Sequence, residues 1–127
     1  MRLVAFAALL LSAAACGGGD NSPLTFDDPA KPIEVGVGSE FTLALKSNQS
    51  TGFEWVLADS AALGTLQLVS KDYVIPREYR DANGAGGTER WTFRAPAAGH
   101  SVVSLAYKRP WETVLAADSA RFQVTVR

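Results

Sequence analysis

The sequence predicts an all-β protein, a single-domain immunoglobulin-like β-sandwich of about seven strands. Apolar and polar residues alternate along residues 40–46, which is the period of a strand that buries one face. The same alternation recurs along residues 90–95, 102–108 and 121–127. Between these runs, Gly, Pro, Asn and Asp return at short intervals, as the turns between short strands require. The 127 residues offer enough length for one such domain.

The inward face of each alternating strand supplies the candidate core, because successive side chains of a strand point to opposite faces. The candidate core residues are Phe41, Leu43, Leu45, Trp91, Phe93, Ala95, Val103, Leu105, Tyr107, Phe122, Val124 and Val126. Three further strands are expected, at residues 33–37, 53–58 and 66–75.

Residues 1–15 have the composition of a secretory signal peptide. Arg2 provides the positive charge, residues 3–11 the apolar stretch and residues 12–15 the small side chains at which cleavage occurs. The apolar stretch is too short for a membrane span. We therefore expect an exported protein whose folded domain comprises residues 24–127.

Cys16 is the only cysteine and directly follows these small residues. The arrangement resembles a bacterial lipobox, with Ala13 where that pattern favours Leu. The glycine-rich residues 16–23 would form a flexible tether. We expect lipidation at Cys16, which would be the protein's one attachment to a bacterial membrane, facing the periplasm or the exterior; the alternative is a soluble secreted protein. A lone cysteine excludes an intramolecular disulfide.

Charge and composition exclude several classes of function. The net charge is −1, and Lys and Arg are scattered from Lys31 to Arg127 rather than clustered, so there is no basic patch for nucleic acid. The one histidine, His100, lies in a predicted turn. No nucleophile elbow or metal-ligand spacing is present. We expect neither an enzyme nor a protein that binds a metal or a cofactor.

Three segments have a composition that a turn alone does not require. The first, residues 48–55, joins two predicted strands. In the second, residues 83–88, closely spaced glycines permit positive φ angles and leave the backbone open to contact with another chain. A flexible hairpin tip is the alternative there. A phosphate-binding loop is excluded because residues 89–94 predict a strand and not a helix.

The third segment is Arg109-Pro110-Trp111. Pro110 lacks the N–H that a strand ladder needs and so ends the strand before it. Trp111 is therefore expected in a loop beside Arg109, and both are residue types that dominate interface hot spots. The alternative is that Trp111 caps the end of the sandwich.

Together these segments resemble the chagasin family of cysteine protease inhibitors, protease inhibitor family I42, across residues 32–127. The first loop of that family has the pattern Asn-Pro-Thr-Thr-Gly-Tyr/Phe with a Trp shortly after it. Gln49 and Ser50 stand in place of its Pro and one Thr. The second segment matches the family's Gly-x-Gly-Gly motif, and the third matches Arg-Pro-Trp with Tyr107 before it. The first-loop residues that match as they stand are Asn48, Thr51, Gly52, Phe53 and Trp55.

The resemblance implies a reversible, noncovalent inhibitor of papain-like cysteine proteases, acting as a monomer. The first loop would enter the catalytic cleft as a wedge, with Thr51 near the nucleophilic cysteine and Trp55 supporting the loop from the core. Asn48 would hold the turn by bonding to its own loop backbone. The wedge residues would be Asn48, Gln49, Ser50, Thr51, Gly52 and Phe53. The flanking residues would be Gly84, Ala85, Gly86, Gly87, Arg109, Pro110 and Trp111.

The alternative function is a cell-surface module that binds a glycan or another protein through its tryptophans. Trp91 alternates inward with Phe93 and is predicted to lie in the core. Of the three tryptophans, only Trp111 is then expected to be exposed, which is little aromatic surface for a carbohydrate site.

Overall fold

The computed structural model describes residues 24–80 and 84–127. These residues form two packed sheets whose strands pair mostly in the antiparallel sense. In this part of the chain the strands are β1 (Leu24–Phe26), β2 (Ile33–Val35), β3 (Glu40–Ser47), β4 (Glu54–Leu57), β5 (Gln67–Val74), β6 (Gly87–Arg94), β7 (Gly99–Lys108) and β8 (Asp118–Val126). One sheet has the order β1-β3-β6-β5 and the other β2-β8-β7-β4. The predicted single-domain, immunoglobulin-like sandwich is confirmed.

The described residues form eight strands, one more than predicted. The additional strand, β1, has three residues and pairs in parallel with β3, Leu24 facing Phe41. So short a strand shows no periodicity, and its partner is distant in sequence. Strand β2 ends at Val35, two residues earlier than predicted, because the chain turns at Gly38, which has a φ of 88°.

The predicted signal peptide (residues 1–15) and tether with Cys16 (residues 16–23) lie outside the described residues, as does Asn83. Within residues 24–80 and 84–127, no helix combines the length and hydropathy needed to span a bilayer.

The core lies between the sheets and consists of the side chains that alternate inward. Phe41 stacks on Phe93 with ring centroids 5.7 Å apart. Trp91 and Trp55 are 3% and 5% exposed, which confirms that both belong to the core. Tyr107 is half-buried and packs against the edge of the core, where its ring lies against Phe53 and Trp55. Close packing of this kind makes the sandwich a rigid frame for those loops.

Candidate functional site

The three segments singled out in the sequence emerge at one end of the sandwich. We call residues 48–53 the wedge loop, residues 84–87 the glycine loop and residues 109–111 the aromatic loop. Ser47, at the end of β3, pairs with Gly87 at the start of β6. In the other sheet, the first residue of β4 pairs with the last residue of β7. The strand registers therefore bring the origins of all three loops together.

The wedge loop is a tight turn that its own backbone closes. Residues Gln49–Thr51 form one turn of 3₁₀ helix, and the Thr51 N–H donates to the Asn48 carbonyl oxygen at 3.2 Å. The Thr51 hydroxyl donates to the same oxygen at 2.6 Å. Gly52 ends the turn with a φ of 86°, a conformation that favours glycine. The result is a narrow tip on which Ser50 and Thr51 are exposed.

The aromatic loop holds the wedge loop from one side. Arg109 Nε donates a hydrogen bond to the Thr51 carbonyl oxygen at 3.0 Å. The indole of Trp111 lies so close to Gly52 that a β-carbon there would be 2.5 Å from Cη2 of the ring. A side chain at position 52 would therefore displace the Trp111 ring, in addition to the strain that the φ of Gly52 would impose on it. Trp111 remains 70% exposed, so it does not cap the core.

A column of aromatic rings supports this contact from below. The Arg109 guanidinium lies 4.5 Å from the centre of the Phe53 ring, a cation–π distance. Phe53 stacks on Tyr107 at 5.4 Å, and Tyr107 packs against Trp55 at 5.0 Å. The Phe53 side chain is half-buried at the base of the loop because these rings enclose it, and its role in the wedge stays a prediction.

Asn48 connects the wedge loop to the glycine loop. Its Nδ2 donates to the Gly84 carbonyl oxygen at 2.9 Å, and its Oδ1 accepts from the Ser50 hydroxyl at 2.5 Å. The prediction that this side chain bonds to its own loop backbone is therefore wrong. The neighbouring glycine loop offers a carbonyl oxygen within reach of Nδ2, and the 3₁₀ turn has no hydrogen bond from its N-cap side chain.

The glycines of the glycine loop have different roles. Gly84 has a φ of 77°, which places it in the left-handed region. Gly87 is the first residue of β6, and a β-carbon there would be 2.4 Å from the Val74 carbonyl oxygen. Gly87 thus allows β5 to approach β6 closely. This packing role is not what a flexible hairpin tip, the alternative for this segment, would require. Gly86 lies beside the start of the wedge loop. A β-carbon at position 86 would be 3.4 Å from the Ser47 carbonyl oxygen and 3.8 Å from Cβ of Asn48.

Comparison with known proteins identifies this arrangement. The family model described as "Chagasin family peptidase inhibitor I42" matches residues 34–126. Over 100 residues the chain is 34% identical to chagasin of Trypanosoma cruzi, an alignment that covers 75% of this chain and 86% of that protein. The chain belongs to the chagasin family.

Solved structures share the fold of this chagasin-family protein. The cysteine protease inhibitor EhICP2 from Entamoeba histolytica superposes with a TM-score of 0.64 at 19% identity, covering 82% of this chain and 94% of that one. PbICP-C, solved in complex with falcipain-2, superposes with a TM-score of 0.53 at 18% identity, covering 88% and 96%. At these identities the likeness is one of fold. Family membership makes the chain a cysteine protease inhibitor and not an enzyme.

The surroundings of His100 contain no catalytic arrangement. Its ring is exposed and bridges Thr125 and Gln123 at 3.2 Å and 3.1 Å, at the end of β7 remote from the aromatic loop. Among residues 24–80 and 84–127, no group of His, Asp and Glu side chains could hold a metal ion.

Below the loops of this chagasin-family inhibitor lies a buried carboxylate that sequence reasoning missed. Glu89 is fully buried, and its Oε2 accepts hydrogen bonds from the Ser47 hydroxyl at 2.6 Å and the Trp55 N–H at 2.9 Å. Its Oε1 accepts from Trp91 Nε1 at 3.2 Å, and Lys71 Nζ lies 4.0 Å away. Glu89 therefore joins both stems of the wedge loop across the two sheets.

A signal for Glu89 was available in the sequence. It precedes Trp91 by two positions, so the period of a strand places it on the same inward face as Trp91 and Phe93. A carboxylate on a buried face requires partners, because leaving it without them costs several kcal/mol.

Two tyrosines hold the start of the wedge loop; the sequence placed Tyr107 in the core and before the third motif, and it did not single out Tyr73. The Tyr107 hydroxyl accepts from the Asn48 N–H at 2.8 Å. The Tyr73 hydroxyl accepts from the Gln49 N–H at 3.3 Å and donates to the Ser47 carbonyl oxygen at 3.3 Å. A proline at position 49, which the family pattern has, could not donate the bond to Tyr73. Gln49 therefore gives the wedge loop a hydrogen bond to Tyr73 that the family's proline could not make.

Proposed function

We propose that this protein inhibits papain-like cysteine proteases reversibly and noncovalently, with the wedge loop in the catalytic cleft and the other two loops beside it. The observation that carries this proposal is the contact between Arg109 and Thr51, which joins the exposed tip of one loop to a second loop. A tip held in this way loses little conformational entropy when it binds, and that favours affinity. The falcipain-2 complex of a structural neighbour supports papain-like enzymes as the target class.

The geometry also accounts for inhibition without cleavage. In the peptide bond between Thr51 and Gly52, the carbonyl oxygen accepts from Arg109 and the N–H donates to the Gln49 carbonyl oxygen at 3.0 Å. Cleavage would require that carbonyl oxygen to enter the enzyme's oxyanion hole, where donors stabilise the tetrahedral intermediate. The hydrogen bond from Arg109 would have to break first. The wedge can thus cover the nucleophile while remaining a poor substrate.

The chemistry of the wedge loop suits a cleft that contains a thiolate. Residues 48–53 carry no carboxylate, so they bring no negative charge towards the nucleophile. Thr51 and Gly52 are small enough for a narrow cleft.

Inhibition assays with papain test the proposal. The purified protein from Ser22 onward should inhibit papain reversibly in the nanomolar region, as is typical of interfaces of about 1,600 Å². Trypsin, a serine protease, serves as the control and should keep its activity. Full papain activity in the presence of micromolar protein would exclude the proposed function.

We further propose export and lipidation at Cys16, with the domain 24–127 held at a bacterial membrane by that anchor and acting as a monomer. The support comes from the sequence of residues 1–16. A diacylated cysteine would supply the two lipid chains that stable anchoring needs. Replacing Cys16 by Ser should therefore move the protein from the membrane fraction to the soluble secreted fraction. Unchanged partition would point to the soluble secreted form instead.

The glycan-binding alternative has little support. Trp55 and Trp91 are buried, so of the three tryptophans only Trp111 could contact a sugar. A panel of polysaccharides tested beside papain would distinguish the two functions.

A further inference from the structure

The loop that carries Trp111 continues into an exposed aliphatic tip. Val114 is 62% exposed and Leu115 is 94% exposed. Single exposed hydrophobic residues are common on protein surfaces and need no explanation. Here, however, two are adjacent and follow a third, Trp111, on the same loop. Three large apolar side chains exposed on one loop give a partner apolar surface to cover. We call Val114 and Leu115 the apolar tip.

The stem of this loop is held in place. The Glu112 N–H donates to the Arg109 carbonyl oxygen at 3.0 Å, and the Ala117 N–H donates to the Tyr107 carbonyl oxygen at 2.8 Å. Arg109 is in turn bonded to Thr51 of the wedge loop. The apolar tip therefore projects at the wedge end of the sandwich, on the same hairpin connection as Trp111.

The chemistry of the tip selects an apolar counterpart. Residues 113–117 are Thr-Val-Leu-Ala-Ala and carry no charge, and Val114 to Ala117 are all exposed. The nearest charged residue before them, Glu112, is paired with Arg109 at 3.6 Å. A partner that covers this tip gains by removing apolar surface from water and has no unpaired charge of the tip to desolvate.

We propose that the apolar tip is a further contact with the target protease, seated in an apolar depression on the rim of the cleft beside Trp111, and that it contributes to the choice among papain-like enzymes. This inference rests on the proposed function, since it places the tip on the same interface as the wedge loop. The protease is the occupant because the tip is continuous with the surface that the proposed function places against it. An enzyme surface that meets Thr51 and Trp111 also lies next to the remainder of the same loop.

The test replaces both side chains in the purified mature protein, Val114→Ser with Leu115→Ser. Inhibition constants and dissociation rates are measured for papain, cathepsin B and cathepsin L. We expect at least one constant to rise about tenfold or more through faster dissociation, as loss of an apolar interface contact does, and the three enzymes to be affected unequally. The thermal midpoint should not change, because both side chains are exposed.

The matched control is Val37→Ser with Leu68→Ser. These two side chains are also aliphatic and exposed, but they lie near the end of the sandwich remote from the wedge loop, since β3 begins just after Val37 and Leu68 pairs with Phe93. The control variant should inhibit all three enzymes like the unsubstituted protein.

Other outcomes would overturn the inference. If all three constants stay within about twofold while the unsubstituted protein inhibits, the tip is not part of the interface and the proposed function stands. Sedimentation tests whether a second copy of the chain covers the tip, and vesicle binding tests whether a lipid bilayer does. If the tip substitutions abolish self-association or binding to phosphatidylglycerol vesicles and leave inhibition intact, the tip serves a second copy or a bilayer. If the unsubstituted protein inhibits none of the enzymes, the proposed function and this inference fail together.

Discussion

Arg109 Nε and the carbonyl oxygen of Thr51 are 3.0 Å apart and join two loops that are 58 residues apart in sequence. The guanidinium that makes this bond also lies over the Phe53 ring. One side chain thus fixes both the tip and the base of the wedge loop. Substitutions at the loops and in the core can separate this positioning from direct contact with the protease and from the stability of the fold.

Replacing Arg109 by Ala should weaken inhibition of papain by about tenfold or more, because a charge-assisted hydrogen bond to the wedge is lost. The freed Thr51 carbonyl should also allow slow cleavage between Thr51 and Gly52, detectable by mass spectrometry after long incubation. Arg109→Lys is the matched control: it keeps the charge but not the planar group over Phe53, and its effect should be intermediate. An Arg109→Ala protein that inhibits normally and stays intact would contradict this role.

Replacing Thr51 by Asp should abolish tight binding without affecting folding. The new carboxylate would be buried unpaired in the cleft, near the enzyme thiolate, at a cost of several kcal/mol. In the free protein the side chain is exposed and its hydroxyl donates to the Asn48 carbonyl oxygen within the same turn, so the thermal midpoint should fall by no more than the loss of one exposed hydrogen bond. Inhibition constants and thermal melts measure both effects. Normal papain inhibition by this variant would show that the wedge does not enter the cleft.

Trp111 and Trp55 should respond to truncation in opposite ways. Trp111→Ala should weaken binding by about 2 kcal/mol with little change in thermal midpoint, because the exposed ring can act as an interface hot spot. Trp55→Ala should reduce the free energy of unfolding by about 3–5 kcal/mol, because the ring is buried in the core. Denaturant unfolding and papain inhibition distinguish the two. Unfolding caused by Trp111→Ala, with inhibition unimpaired in the folded fraction, would refute the assignment of that ring to the interface.

Tyr73 and Gln49 should be energetically coupled. Tyr73→Phe removes the acceptor of the Gln49 N–H and should weaken inhibition severalfold, as expected for a neutral hydrogen bond worth about 0.5–1.5 kcal/mol. In a Gln49→Pro background the same substitution should cost less, because the donor is already gone.

Tyr107→Phe is the control for this coupling. Its hydroxyl bonds to the Asn48 N–H, so its effect should add to that of Gln49→Pro. Strict additivity for Tyr73 as well would show that its hydroxyl does not act through Gln49.

The sequence alone was sufficient for the architecture and for the location of the loops. The alternation along β3, β6, β7 and β8 predicted two sheets with one buried face each, and Trp91 was assigned to the core on that basis. Pro110 indicated that Trp111 leaves the sheet, and the structure places Trp111 in a turn with most of its surface exposed. These features depend on local period and local backbone chemistry, which a sequence displays directly.

Only the tertiary structure decided which residues hold the wedge loop. The partners of Asn48, Gln49 and Thr51 are Gly84, Tyr73 and Arg109, each supplied by a strand or loop distant in sequence. A local pattern carries no information about such partners, so the sequence assigned the Asn48 side chain to its own loop backbone. The roles of these side chains follow from the registers of the two sheets, which bring the three loops within hydrogen-bond distance of one another.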